Sequence, residues 1–217
     1  MINIIYEDNH LLVVEKPINI PVQEDMSKDL DFLTLLKDFI KERDNKPGNV
    51  YLGLVHRLDR PVGGIMVFAK TSKCASRLSE QVRNRIFKKT YYAVVEGKTE
   101  TKGTLIDKLL KDTKSNIVKV DESGKEAILD YKLIDYKDNL SLVKINLKTG
   151  RSHQIRVQFS SRNHALYGDQ KYNNNSIVGE QIALFSNSIT FDHPITKEEL
   201  TFEIPLPNKY PWNIFKV

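Results

Sequence analysis

Cysteine is nearly absent from this 217-residue chain: Cys74 stands alone, which excludes an internal disulfide and a zinc site built on several thiolates and fits a reducing compartment. Histidine is sparse as well. His10, His56, His153, His164 and His193 include no pair at the i, i+4 spacing of a helical metal site, so no metal is expected. Long apolar runs are missing, and the N-terminal stretch turns acidic at Glu7-Asp8 before a signal-peptide core can develop. The expectation is a soluble, cytoplasmic protein with no membrane partner. Repeats, low-complexity tracts and a convincing interdomain linker are also lacking, so one domain is expected over residues 1–217. What is present is an ordinary globular composition, 40% hydrophobic and 28% charged, with a net charge of +5. That charge suits a polyanionic partner but is weak evidence by itself.

The order of elements follows from periodicity. Ile2–Tyr6 and Leu11–Val14 read as two strands around a polar turn, with Lys16-Pro17 ending the second. Between Asp29 and Arg43, Leu33, Leu36, Phe39 and Ile40 recur at helical spacing, and Pro47-Gly48 closes the segment. Gly64–Ala69 reads as a buried strand, and Thr71 or Ser72 caps a helix carrying Ala75, Leu78, Val82 and Ile86. Strands are expected at Tyr91–Gly97, Ala127–Tyr136 and Leu140–Leu147, then a short helix at Arg151–Ser161, then strands at Gln181–Phe191 and Glu199–Ile204. Hairpin-length links outnumber crossover-length ones, which indicates an α+β fold with much antiparallel pairing.

Three segments hold chemistry-bearing residues. Gly53 to Gly64 contains His56-Arg57-Leu58-Asp59-Arg60, one carboxylate between two arginines ahead of a Pro-Val-Gly-Gly turn. Taken alone, that string reads more readily as a turn of solvated charges. Thr149 to Val157 places Arg151, His153 and Arg156 around the start of a helix, where an anion such as a phosphate or a carboxylate is favoured, although an ordinary basic face reads the same way. Lys89-Thr90-Tyr91-Tyr92-Ala93 begins a strand whose alternation sends the two tyrosines to opposite faces, so that one is available to a ligand and the other to packing.

Together the segments resemble the RluA-type family of RNA pseudouridine synthases, whose pattern is His-Arg-Leu-Asp, Lys-x-Tyr, then Gly-Arg-x-His-Gln-Ile-Arg. All three occur here in that order, at 56–59, 89–91 and 150–156, and Tyr167-Gly168-Asp169 and Phe191 to Thr196 look like late signatures. The resemblance covers nearly the whole chain. It implies a mixed, largely antiparallel sheet in two halves, with flanking helices and a central active-site cleft. It also implies Asp59 as the catalytic aspartate, Arg57 near a flipped nucleotide, Tyr91 beside the uracil and Arg156 paired with Asp59. Arg151, from its own place at the helix start, is expected on a phosphate. The activity implied is isomerisation of uridine in ribosomal or transfer RNA, without cofactor, by a monomer with no obligate protein partner. Two departures stand out. The family's Thr-Ser-Gly is replaced by Val62-Gly63-Gly64, and with the first strand reading from Ile2 no preceding RNA-binding domain is expected. Two other readings use the same features: a non-catalytic RNA-binding relative, and a glycosylase that flips a base and releases it.

Overall fold

Strands β1 (Asn3–Glu7) and β2 (Leu11–Lys16) form an antiparallel hairpin, whose turn is shaped by Asp8 accepting the N–H groups of His10 at 2.7 Å and Leu11 at 2.6 Å. Leu11 to Val14 are wholly withdrawn from solvent, which is why the strand reads as a continuous apolar run. The structure, a computed structural model, describes residues 2–25 and 27–216. Residues 1 and 217, the ends of the expected domain, lie outside the described residues.

Helix α1 (Phe32–Arg43) starts three residues later than periodicity suggests, because Asp31 is extended and caps it, accepting the Thr34 N–H at 3.0 Å. Its buried face is Phe32, Leu36 and Ile40. Next come the short strand β3 (Gly53–Leu54), the fully buried β4 (Gly63–Ala69) and α2 (Ser72–Arg83), capped by Thr71, one of the two expected caps. Ile86, expected on α2, lies beyond its end and is exposed.

The chain continues through β5 (Lys88–Glu96), β6 (Lys102–Asp112), β7 (Ile117–Val120), β8 (Lys125–Lys137) and β9 (Leu140–Leu147). Asp138 and Asn139, both at positive φ, make the tight turn between β8 and β9. Helix α3 (Gln154–Ser160), β10 (Leu184–Asp192), β11 (Glu199–Glu203) and a 3-10 turn at Trp212–Ile214 complete the order. Strands β3, β6 and β7 are missing from the sequence reading. Leu105, Ile106, Leu109 and Leu110 do not alternate, and Ile106 is largely exposed, so β6 lacks a period-2 signature and is defined by its eight-residue register with β8.

The fold is α+β: among the described residues, three helices and a mixed sheet of mostly antiparallel strands, as expected. The chain divides into two compact units, Met1–Lys88 with Ser188–Ile204 and Lys89–Asn187 with Pro205–Val217. Within the first, the strand order is β1-β2-β4-β10, with β3 on β4 and β11 on β10. Within the second it is β10-β5-β9-β8-β6-β7, β10 contributing residues to both units. Among the described residues no helix is long and apolar enough to cross a membrane.

Candidate active site

In the first unit, residues 56–59 follow β3 with alternating burial. His56 and Leu58 turn inward, Arg57 is exposed and Asp59 is half-buried. His56 is pinned to β4, its Nε2 accepting the Val67 N–H at 3.1 Å, and its ring lies 5.3 Å from that of Phe87. Directly after Asp59 the chain reverses: the Val62 N–H donates to the Asp59 carbonyl at 2.9 Å. Arg60, one of the two arginines flanking the carboxylate in sequence, is committed elsewhere. It pairs with Asp29 at 2.6 Å and donates to the Asn19 carbonyl and the Ser27 hydroxyl. Of the glycines that follow, Gly64 has positive φ, at 124°.

The residue that holds this turn is Lys16. It is the last residue of β2, in register with Gly64, and it is completely buried. Its ammonium donates to three carbonyl oxygens, those of Val62 at 2.8 Å, Pro17 at 2.9 Å and Arg60 at 3.1 Å. Those acceptors match the three donors of an ammonium, which is how a buried cation is tolerated. Burial pushes the Lys16 ammonium down to about 8, the Asp59 carboxylate pulling it back up and Arg60 adding to the depression. In the sequence, Lys16-Pro17 reads only as the end of a strand. The acceptors on Arg60 and Val62 lie 44 and 46 residues away, beyond any local signal.

In the second unit, the Thr149-to-Val157 segment is secured by Gln154. Its Oε1 accepts the Thr149 hydroxyl at 2.8 Å and the Arg151 N–H at 3.0 Å, while its Nε2 donates to the Ile128 carbonyl on β8 at 3.1 Å. The helix begins at Gln154, three residues later than expected, because His153 sits in the left-handed region at φ 50°. Arg151 is exposed and donates its Nε to the Glu126 carbonyl at 2.8 Å.

Arg156 is buried and has a partner that the sequence reading does not name. Asp169 accepts from its Nε at 2.8 Å and its Nη2 at 2.6 Å, and the guanidinium lies 5.1 Å from the centre of the Tyr172 ring. The Tyr172 hydroxyl accepts the Val118 N–H at 2.9 Å and lies 2.6 Å from His153 Nδ1. Asp169 is delivered by the Tyr167-Gly168-Asp169 step. Gly168 has φ 68°, and a Cβ there would come within 2.4 Å of the Gln181 carbonyl oxygen, so only glycine fits. The other late signature is also architectural: buried His193 accepts the N–H groups of Ile195 and Thr196 at Nδ1 and meets Asp8 at 2.9 Å through Nε2.

Tyr91 and Tyr92 project to opposite faces of β5, as alternation requires, and both are buried. Lys144, opposite Tyr92 on β9, holds its ammonium 5.8 Å from that ring, which gives Tyr92 a packing partner.

The RNA pseudouridylate synthase family matches residues 10–161. The chain is 34% identical over 210 residues to the uncharacterized RNA pseudouridine synthase YhcT of Bacillus subtilis, covering 95% of this chain and 69% of that protein. It is 32% identical to ribosomal large subunit pseudouridine synthase D of Vibrio cholerae, covering 95% and 68%. Among solved structures, human RNA pseudouridylate synthase domain containing 4 superposes with a TM-score of 0.79 at 22% identity, covering 94% of this chain and 88% of that one, a likeness of fold.

Proposed function

The chain belongs to the RNA pseudouridylate synthase family and is an isomerase of uridine in RNA, and we propose that Asp59 is its catalytic carboxylate and structured large-subunit ribosomal RNA its substrate. The observation that carries the first part is the turn after Asp59. Three ammonium hydrogen bonds from a wholly buried lysine fix the backbone around a carboxylate that itself stays half-exposed, which is the preorganisation a reacting group needs. The second part rests on the relatives named for the large ribosomal subunit.

Uridine becomes pseudouridine when the bond from N1 to the anomeric carbon breaks and a bond from C5 to that carbon forms. The C5 proton is given up and N1 gains one, so nothing is exchanged with a cofactor. Asp59 supplies the carboxylate that acts as nucleophile or base on the base or sugar. The nucleotide must leave its stack to reach it, and exposed Arg57 takes the vacated place. Tyr91 lies against the uracil. A guanidinium offers one edge through Nε and Nη2 and a second through Nη1 and Nη2. In this reading Arg156 is held by Asp169 through the first edge and serves the reaction with the second. Exposed Arg151 meets a phosphate.

Incubating the wild-type protein with uridine-labelled ribosomal and transfer RNA tests the reading. Pseudouridine in large-subunit RNA is the expected product. Pseudouridine in transfer RNA alone would move the substrate, release of free uracil would make the protein a glycosylase, and unchanged RNA would leave a binding protein only.

A further inference from the structure

Lys89 belongs to the Lys-x-Tyr segment, but the reaction as derived from Asp59, Tyr91 and the arginines leaves its charge without a role. It lies on β5 opposite Leu147 and two residues before Tyr91, so its side chain leaves the strand on the same face as that tyrosine. The ammonium ends beside the Thr149-Gly150-Arg151 corner. A Cβ on Gly150 would stand 3.2 Å from Nζ, so the ammonium lies close against this glycine. The side chain is partly shielded by the protein, and burial lowers its proton affinity with no carboxylate among the described residues to offset the effect. Its sequence neighbour behaves differently. Lys88 is exposed, on the opposite face, and lies 3.3 Å from Glu199.

We propose that Lys89 is a substrate-positioning residue whose ammonium, set beside Gly150 and next to Arg151, binds one phosphodiester of the RNA strand that carries the target uridine. A cation held on a strand without a carboxylate partner selects an anion, and the phosphodiester is the only anionic group of RNA. Lysine serves phosphate as a point charge and needs no planar partner. The location on the Tyr91 face ties that contact to the strand being read rather than to distant RNA. The alternation of β5 thus puts a stacking group and a charge two residues apart on one surface, matching a base and its own backbone. This inference rests on the reading of the chain as an RNA-acting synthase.

The test is equilibrium binding of in-vitro-transcribed large-subunit ribosomal RNA to wild type, Lys89→Gln, Lys89→Arg and Lys88→Gln over a range of potassium chloride, with the melting temperature of each protein. Lys89→Gln is expected to keep the wild-type melting temperature, bind about tenfold more weakly at low salt, and lose roughly 0.7–0.9 from the slope of log K against log salt, one phosphate contact. Lys89→Arg should restore the slope, and Lys88→Gln should leave it at the wild-type value. An unchanged slope in Lys89→Gln, or an equal loss in Lys88→Gln, overturns the assignment and leaves the synthase reading standing. Failure of wild type to bind this RNA and transfer RNA alike overturns both.

Discussion

Asp169 grips Arg156 at two points, Oδ1 to Nη2 at 2.6 Å and Oδ2 to Nε at 2.8 Å, with 0% and 7% of the respective side chains exposed. Asp169 also accepts the Lys171 and Tyr172 N–H groups, so the guanidinium is fixed by a carboxylate that is itself fixed. Removing the charge leaves a buried guanidinium without its counter-ion. Asp169→Asn is therefore expected to lower unfolding free energy by roughly 3–5 kcal/mol in urea titrations. Wild-type stability in that variant would show that the pair contributes little.

Arg151 and Arg156 should divide in their effects. Arg151 is exposed and tied to the fold only through the Glu126 carbonyl among the described hydrogen bonds of its side chain, so Arg151→Met should weaken RNA binding and flatten its salt dependence while sparing the rate at saturation. Arg156→Met should cut the single-turnover rate far more than binding. Equal binding losses from the two would contradict this division.

Lys16 predicts a pH effect on stability. Its ammonium is depressed to about 8 in the folded protein, against 10.5 when free. Below pH 8 both folded and unfolded chains hold the proton and the cost of burying the charge is fully present. Between about 8 and 10.5 the unfolded chain binds more protons, so stability contributed by this residue rises with pH, by about 3 kcal/mol over the window. Comparing wild type with Lys16→Met isolates it. The difference in unfolding free energy should move in favour of wild type from pH 8 to pH 10.5. A difference that stays flat or moves the other way would contradict the assignment. Lys16→Met should also lower turnover by tenfold or more, because the carbonyls of Arg60 and Val62 lose their donor.

Val62-Gly63 is compatible with activity for a structural reason. Val62 is buried, its N–H is bound to the Asp59 carbonyl and its own carbonyl to Lys16, so the turn is held by backbone and lysine without side-chain hydroxyls. Val62→Thr should change turnover less than about tenfold, the worth of one neutral hydrogen bond at roughly 0.5–1.5 kcal/mol. Activity that appears only in the double variant Val62→Thr with Gly63→Ser, which restores both hydroxyls of the family pattern, would mean that the wild-type chain is inactive.

Strands with strong local signals are legible in the sequence: β9 matches its expected limits, bounded by the Asp138-Asn139 turn, and α2 carries the expected Thr71 cap. Strands β6 and β7 are not, because their pairing and not their pattern defines them. The same division runs through the site. Asp59, Arg57, Tyr91, Arg151 and Arg156 stand in contiguous motifs, from which they are proposed. Lys16 escapes, since its burial depends on a register with Gly64 that no local window contains. Asp169 is visible only as part of a signature. Its role needs the turn at Gly168 to bring it to Arg156, 13 residues earlier. His153 is expected among the residues at the helix start, and its left-handed backbone moves that start.

Whether Asp59 carries the reaction is decided by pseudouridine mapping of ribosomal RNA from cells lacking the gene and supplied with wild type or Asp59→Asn. Asparagine keeps the size and hydrogen-bonding capacity of the side chain and removes its charge. Wild type is expected to restore pseudouridine at one or more large-subunit positions and Asp59→Asn to restore none, while the variant binds the RNA within about tenfold of wild type, ~1.4 kcal/mol. Restoration of the same positions by Asp59→Asn would contradict the assignment of Asp59 as the catalytic carboxylate.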